Sequence, residues 1–445
     1  MNQEVFGTMP PKKLFIKLAV PSLISMLFSS LYMIVDGMFV GKVIGSKALA
    51  AINLVFPIIM IVFAFSDMIA SGVSVKIGIK LGEKKEKEAS EVFSVGLLVI
   101  LFVNCVFMIL SLVFVKDTIF ILIKDRELAE LAYKFAYVFI YFLPIISPFF
   151  AIDNYLRLCG KANMSMWINI SVSILNIILD IILIGYLKLG IEYAALSSAL
   201  SMSVGMVMSL YPFVSKKVVL RFTKPKITIK EMLEIIYNGS SEFFSNISGS
   251  VMSVIVNGFL LNLGGAVSVA AYSIVMYIES LVVPLLFGMI DSVQPVISYN
   301  YGAKNKERIM TFFKITCSVG FVISIVTMMI IFIFPDFLVM LFSSKSDIDV
   351  INMAKSALFL YAPSYLFTWF IMTVSCFLTG HERATSSIIL MLMESIVLPL
   401  LLTISLTKFM GVYGVFIVPS ISGIISVIIA YILWRKCVKD IYYNI

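Results

Sequence analysis

The residues of this chain whose types and placing could do chemistry are carboxylates set inside long apolar stretches. An ionised group in hydrocarbon is expensive and is kept mainly where it acts. The first half holds Asp36, Asp67, Asp153 and Asp180, and the second holds Glu242, Glu279, Asp291 and Glu394. Asn176 and Asp180 are four residues apart and so share one helix face. Taken with Asp36 and with the hydroxyl of Ser198, they offer two carboxylates, an amide and an alcohol. Such an all-oxygen group could hold a proton shared between the acids, or a dehydrated Na⁺. Two carboxylates in a low-dielectric pocket repel each other and titrate as a unit.

Elements that position such groups must cross a bilayer. Sixty per cent of residues are hydrophobic, 13% are charged and the mean hydropathy is +1.04, outside the range of a soluble globular domain. A helix needs about 20 apolar residues to span the hydrocarbon. Charge, Gly and Pro divide the chain into twelve such spans, near 14–41, 48–75, 91–115, 131–156, 162–187, 191–214, 236–262, 266–296, 309–334, 352–378, 385–407 and 411–434. The fold class is therefore an all-α membrane protein. With the N-terminus inside, the first and fifth spans run outward, and Asp36 lies about six residues, roughly 9 Å, before the outer end of its span. Asp180 falls at nearly that depth, Asn176 one turn deeper, and Ser198 about two turns below the start of the sixth span. The four groups thus occupy one layer.

The chain also repeats itself at an offset of 220 residues. Leu81-Gly82-Glu83-Lys84 maps onto Tyr301-Gly302-Ala303-Lys304, Gly45 onto Gly265, Ala50-Ala51 onto Ala270-Ala271, and Gly160 onto Gly380. A constant shift of this length reads as a duplicated six-helix bundle, the internal symmetry of secondary carriers. The expected division is an N-lobe at 1–214, a cytoplasmic linker at 215–235 and a C-lobe at 236–445. The polar stretch from Ser215 to Lys230, with Pro225, forms that linker.

Of the 34 Lys and Arg residues, 24 fall in segments that are cytoplasmic if both termini are inside; Lys42, Lys116, Lys345 and Lys408 are among the ten on the other side. This bias predicts an even number of spans with cytoplasmic termini. It also accounts for the net charge of +8 through anionic headgroups rather than nucleic acid. Pro10, Pro11, Lys12 and Lys13 precede a segment too long for a signal-peptide core, so the first span is expected to serve as its own insertion signal. Cys105, Cys159, Cys317, Cys376 and Cys437 show no CxxC spacing, which supports neither a disulfide framework nor a zinc site. No cofactor is expected beyond H⁺ or Na⁺ as coupling ion.

The remaining acids carry plainer readings. Asp153 stands four residues before Arg157 and predicts a local ion pair; Asp67 and Asp291 fall close to loop lysines. Glu242 lies near the inner start of the seventh span, where inner-gate function and a solvated terminus are equally consistent. Glu279 and Glu394 fall near the middle of their spans and suit a negatively charged cavity that binds cations. His381, the one histidine, is expected as a solvated loop residue. Tyr32, one turn from Asp36, is a candidate cavity aromatic for cation–π contact, and the 26 Met residues suit a cavity that accepts many shapes.

The chain resembles the multidrug and toxic compound extrusion (MATE) family, nearest its DinF/MepA-like bacterial branch. The residues that carry the resemblance are Pro21, Tyr32-x3-Asp36-x4-Gly41, Asn176-x3-Asp180 and Ala194-Ala195-Leu196-Ser197-Ser198. In the second half they are Glu242-Phe243-Phe244, Ala270-Ala271-Tyr272 and Gln294-Pro295-Val296-Ile297-Ser298-Tyr299-Asn300-Tyr301-Gly302-Ala303. The resemblance implies two six-helix lobes that export organic cations by alternating access in exchange for H⁺ or Na⁺, in a bacterial cytoplasmic membrane. It implies an ion site at Asp36, Asn176, Asp180 and Ser198, where relatives often have Thr; Pro21, which interrupts the backbone ladder of the first span, is the expected hinge. In one respect the chain departs from the family. Another branch pairs a Glu of helix 7 with an Asp of helix 10, but the span at 352–378 contains no acid, so Glu242 is not assigned to such a site.

Export of a dedicated natural product, or flipping of a lipid-linked substrate, would use the same superfamily fold. A flippase cavity usually needs basic residues for phosphate, whereas the deep charges here are acidic. A membrane enzyme would carry HExxH, Asp-rich pairs or a Ser/His dyad within the bilayer, and a channel would more readily be built from several short subunits. The expected partners are small cationic or amphipathic molecules and the lipid bilayer. A monomer suffices, since twelve helices can enclose a cavity alone.

Overall fold

The computed structural model describes residues 5–224, 226–342 and 347–444; Pro225 of the linker and Lys345 lie outside the described residues. Among the described residues there is no strand. Ten helices among the described residues are long and apolar enough to cross a membrane, and a bent pair adds a further span. One of the ten, Ile229–Gly302, contains two spans merged across Gly265, whose backbone turns to φ 63°.

The helices are α1 (Pro11–Phe39), α2 (Ser46–Gly82), α3 (Glu86–Leu122), α4 (Arg126–Tyr141 bent by 61° into Leu143–Leu158), α5 (Ala162–Asp180) and α6 (Ile191–Val214). After the linker come α7 (229–264), α8 (266–291, continued by Gln294–Gly302), α9 (Lys306–Ile333), α10 (Ile348–Gly380), α11 (Ala384–Met410) and α12 (Val412–Asn444). Among the described residues twelve spans are thus present, several of them longer than hydropathy alone suggested. The polar ends of α3 extend helix well past the apolar window of 91–115 because Glu86, Glu88 and Glu91 favour a first turn as well as they favour water.

Local chemistry sets the starts. The side chain of Asp125 accepts from the amides of Glu127 (3.0 Å) and Leu128 (3.2 Å) and opens α4. Thr228 and Glu231 cap each other reciprocally before α7, and Asn305 accepts from the amide of Arg308 to open α9. The duplication is visible in the backbone. Gly45 and Gly265, 220 residues apart, both turn to positive φ, as do the equivalent Lys84 (φ 61°) and Lys304 (φ 57°).

The chain divides into two compact units, Met1–Phe243 with Ser298–Ala303, and Phe244–Ile297 with Lys304–Ile445. Unit 1 contains two close backbone crossings on α2. A Cβ on Gly72 would stand 2.0 Å from the Ile235 carbonyl oxygen, and one on Gly239 would stand 1.8 Å from that of Met68. Further along, a Cβ on Gly82 would meet the Tyr299 carbonyl oxygen at 1.9 Å, and one on Gly302 would meet that of Ile79 at 2.1 Å. Only glycine permits such approach, the device by which membrane helices pack without a hydrophobic drive between them. The linker is tied to α3: Ser94 Oγ accepts from the amide of Thr223 (2.9 Å), and Ser90 Oγ from that of Arg221 (3.2 Å).

Unit 2 is built on an apolar cluster that includes Ala271, Val275 and Ile278 of α8, Leu358, Tyr361 and Tyr365 of α10, and Phe416 of α12. His381 corrects the expectation of a solvated loop residue. It is only 2% exposed, its ring lies 4.2 Å from that of Phe377, and Nδ1 is 2.6 Å from the Phe377 carbonyl oxygen. The chain turns tightly at the end of α10 and folds the ring back over the last helical turn.

Candidate functional site

In unit 1, α1 packs along α5, and α5 packs along α6. That arrangement brings Asp36, Asn176, Asp180 and Ser198 together. The carboxyl groups of Asp36 and Asp180 approach within hydrogen-bonding reach of each other, close enough to share a proton. Asn176 Nδ2 donates to Ser198 Oγ at 3.1 Å. Asp180 and Asn176 are 0% and 1% exposed, and Ser198 is 8%. Asp36 is half-buried, with its Oδ1 fully shielded.

Ser197 is a member of this site that the sequence did not single out. Its hydroxyl donates to Asp180 Oδ1 and also lies 2.9 Å from the Ala194 carbonyl oxygen. Adjacent residues on a helix point to different sides. Here Ser197 and Ser198 flank the line of contact between α6 and α5, so that one reaches Asp180 and the other Asn176. The Ala-Ala-Leu-Ser-Ser run held the signal, but only the register between helices could divide it.

Three buried acceptor oxygens in this cluster have no hydrogen-bond partner: Asp36 Oδ1, Asn176 Oδ1 and Asp180 Oδ2. A buried oxygen left without a donor costs about 1–3 kcal/mol. Three of them, with two carboxyl groups side by side, make a set suited to a proton or a small cation.

Regular α-helix gives way to wider, π-helical turns beside the acids. Val40–Ile44 follows Asp36 by one turn, Ile181–Tyr186 begins immediately after Asp180, and Met393–Val397 contains Glu394. Such turns frequently mark functional sites, since they free backbone groups and re-aim side chains. Pro21 sits inside α1 without ending it, and its ring removes the bond to the Lys17 carbonyl. Tyr32 is close enough to feel the charge of Asp36.

The other candidates lie elsewhere. Glu279 and Glu394 belong to unit 2, and each is half-buried. Tyr361 Oη donates to Glu279 Oε2 at 2.6 Å. This tyrosine was not foreseen, because 82 residues and an unpredicted register separate it from the acid. Glu242 is half-buried on α7. α10 begins earlier than expected and so gains Asp349, but this acid is exposed in the first turn. Asp153 pairs with Arg157 as its spacing predicts (2.7 Å), both buried, and Ser165 (2.6 Å) and Asn169 (3.0 Å) also donate to it. A surface cavity lined by Lys17, Gly160, Lys161, Ala162, Asn163 and Met164 touches none of the deep acids. Among the described residues no group of three or more His, Cys, Asp and Glu side chains could hold a metal ion.

The family model described as MatE matches residues 21–182 and 243–405, one copy in each half of the chain. The multidrug export protein MepA of Staphylococcus haemolyticus (strain JCSC1435) is 27% identical over 439 residues, covering 96% of this chain and 95% of its own length. Two solved structures superpose with TM-scores of 0.94 at 25% identity: a MATE protein in complex with MaL6, covering 99% of both chains, and an outward-facing multidrug resistance MATE family transporter of the MOP superfamily, covering 99% of this chain and 98% of its own.

Proposed function

The chain belongs to the MatE family, and from that premise we propose that it is a secondary multidrug exporter that expels organic cations in exchange for H⁺ or Na⁺ across a bacterial cytoplasmic membrane. The observation that carries this reading is the buried cluster of Asp36, Asp180, Asn176, Ser197 and Ser198, with its partnerless acceptor oxygens.

A proton shared by Asp36 and Asp180, or a Na⁺ between them, removes the repulsion of two carboxylates in a low dielectric. α1 and α5 then draw together at this level, α1 bending at Pro21 where its hydrogen-bond ladder is already interrupted. The space between them contracts and substrate leaves. Release of the ion to the other side restores the repulsion and resets the cycle. Asn176 and Ser198 hold α5 to α6 through the change and lend oxygens to the ion. Ser197 aims the Asp180 carboxylate. Tyr32, Glu279, Glu394 and Glu242 are the candidates for contact with substrate, and both termini lie in the cytoplasm, on the side favoured by the lysine and arginine bias.

Cells expressing the wild type or Asp36→Asn at equal levels test the reading. The wild type keeps intracellular ethidium low and the variant does not. Full efflux by Asp36→Asn would sink it.

A further inference from the structure

The acids of unit 2 stand in different surroundings from Asp36 and Asp180. Glu279 comes from α8 and Glu394 from the π-helical turn of α11, near enough for the charge of one to act on the other. Among the described residues neither has a basic group acting on it. Residues 266–291 and 385–407 contain no Lys or Arg, and none is among the charged groups acting on these carboxyls.

Aromatic hydroxyls crowd the site instead. Tyr361 donates to Glu279 at 2.6 Å. One turn on, Tyr365 is 2% exposed and lies within the field of Glu279, yet its hydroxyl has no hydrogen-bond partner. The two rings stand 5.8 Å apart. Tyr272, which also feels Glu279, stacks on Phe416 at 6.5 Å. Aliphatic side chains of the unit 2 cluster pack around these tyrosines.

We propose that Glu279, Glu394, Tyr361 and Tyr365 form a subsite, contained wholly in unit 2, for the charged head of a lipophilic organic cation. The subsite rests on the reading of the chain as a cation exporter and deepens it by separating the substrate's charge, in unit 2, from the coupling ion, in unit 1. Acids within a membrane protein are kept mainly where they act, and a cationic ligand would supply the countercharge that no basic group among the described residues brings to these two. A hard metal ion requires a shell of oxygens. Glu279 stands instead beside tyrosines embedded in aliphatic carbon, surroundings that favour a weakly hydrated ammonium or delocalised aromatic cation. The unpartnered Tyr365 hydroxyl is then explained: it gains a partner when the ligand binds and Glu279 turns toward it.

The test uses the purified full chain in detergent, with ethidium as probe, read by fluorescence anisotropy and by thermal unfolding with and without ethidium. Glu279→Gln is expected to weaken binding about 30-fold, the loss typical when one partner of a buried charged contact is removed. Tyr365→Phe gives the sharper readout: it raises the unfolding midpoint of the ligand-free protein, because a buried unpaired hydroxyl is removed, and it shrinks the increment that ethidium adds. Glu127→Gln, on an exposed side chain of unit 1, leaves both unchanged. Binding by Glu279→Gln and Tyr365→Phe equal to wild type would overturn the subsite, as would wild-type protein that binds no ethidium or loses it to Na⁺. If Glu279→Gln does not fold, Tyr365→Phe decides alone. Efflux by Asp36→Asn judges the export reading separately, so the subsite can fail while that reading stands.

Discussion

Asp36 and Asp180, 144 residues apart in the chain, bring their carboxyl groups within hydrogen-bonding reach of each other between α1 and α5. Two like charges at such range cannot both persist in a low-dielectric interior, which is the physical ground for the proposed proton or cation between them. A helix pair whose attraction depends on that occupancy is a two-state element, which is what coupling requires.

Ser197 supplies the donor that fixes one oxygen of Asp180. Ser197→Ala leaves that oxygen without a hydroxyl partner and is expected to cost about 1–3 kcal/mol of stability and to slow efflux, whereas Ser197→Thr retains the hydroxyl and both properties. Thermal unfolding and ethidium efflux on the two variants check this. Equal behaviour of Ala and Thr would show that the bond is incidental.

Asn176 and Ser198 are joined at 3.1 Å. A double-mutant cycle of Asn176→Ala and Ser198→Ala is expected to give a coupling energy of about 0.5–1.5 kcal/mol in unfolding. Strict additivity would mean that the two side chains act independently.

The glycine crossings on α2 admit no side chain. With the Tyr299 carbonyl oxygen 1.9 Å from a Cβ at Gly82, Gly82→Val must force the backbones apart. The expected cost is about 1–3 kcal/mol or more, read as a lowered unfolding midpoint. Gly258, whose added Cβ would meet nothing within 4 Å, provides the contrast: Gly258→Ala is expected to be neutral or stabilising.

Much of this architecture is legible in the residues. Apolar run length, the 220-residue repeat and the Asn176-x3-Asp180 spacing need only local rules, and they place twelve spans and one face of α5. Ser197, Tyr361 and His381 needed more. Ser197 and Tyr361 act across helix–helix registers that hydropathy does not encode, and the π-helical turns beside the acids have no residue signature. His381 looked like a loop residue because it lies beyond the expected end of the tenth span, but the turn that follows α10 buries its ring against Phe377.

Burial of that ring has a consequence for pH. Removal from water pushes the His381 imidazole down from 6.5 to about 4, with Arg383 acting in the same direction against the Phe377 carbonyl. Above pH 6.5 the ring is neutral in both folded and unfolded chains, and its contribution to stability is complete. As pH falls from 6.5 toward 4, the unfolded chain takes up a proton that the folded one refuses, and about 3 kcal/mol is lost. His381→Gln should flatten this acid limb of the unfolding midpoint; an unchanged slope would place its cause elsewhere.

The most direct test of ion-driven export uses the purified protein in vesicles, with ethidium efflux followed under pH and Na⁺ gradients imposed one at a time. Efflux by the wild type that follows one of the two gradients, and is abolished by Asp36→Asn, is the predicted result. Efflux by the variant equal to the wild type, or wild-type efflux indifferent to both gradients, would contradict it.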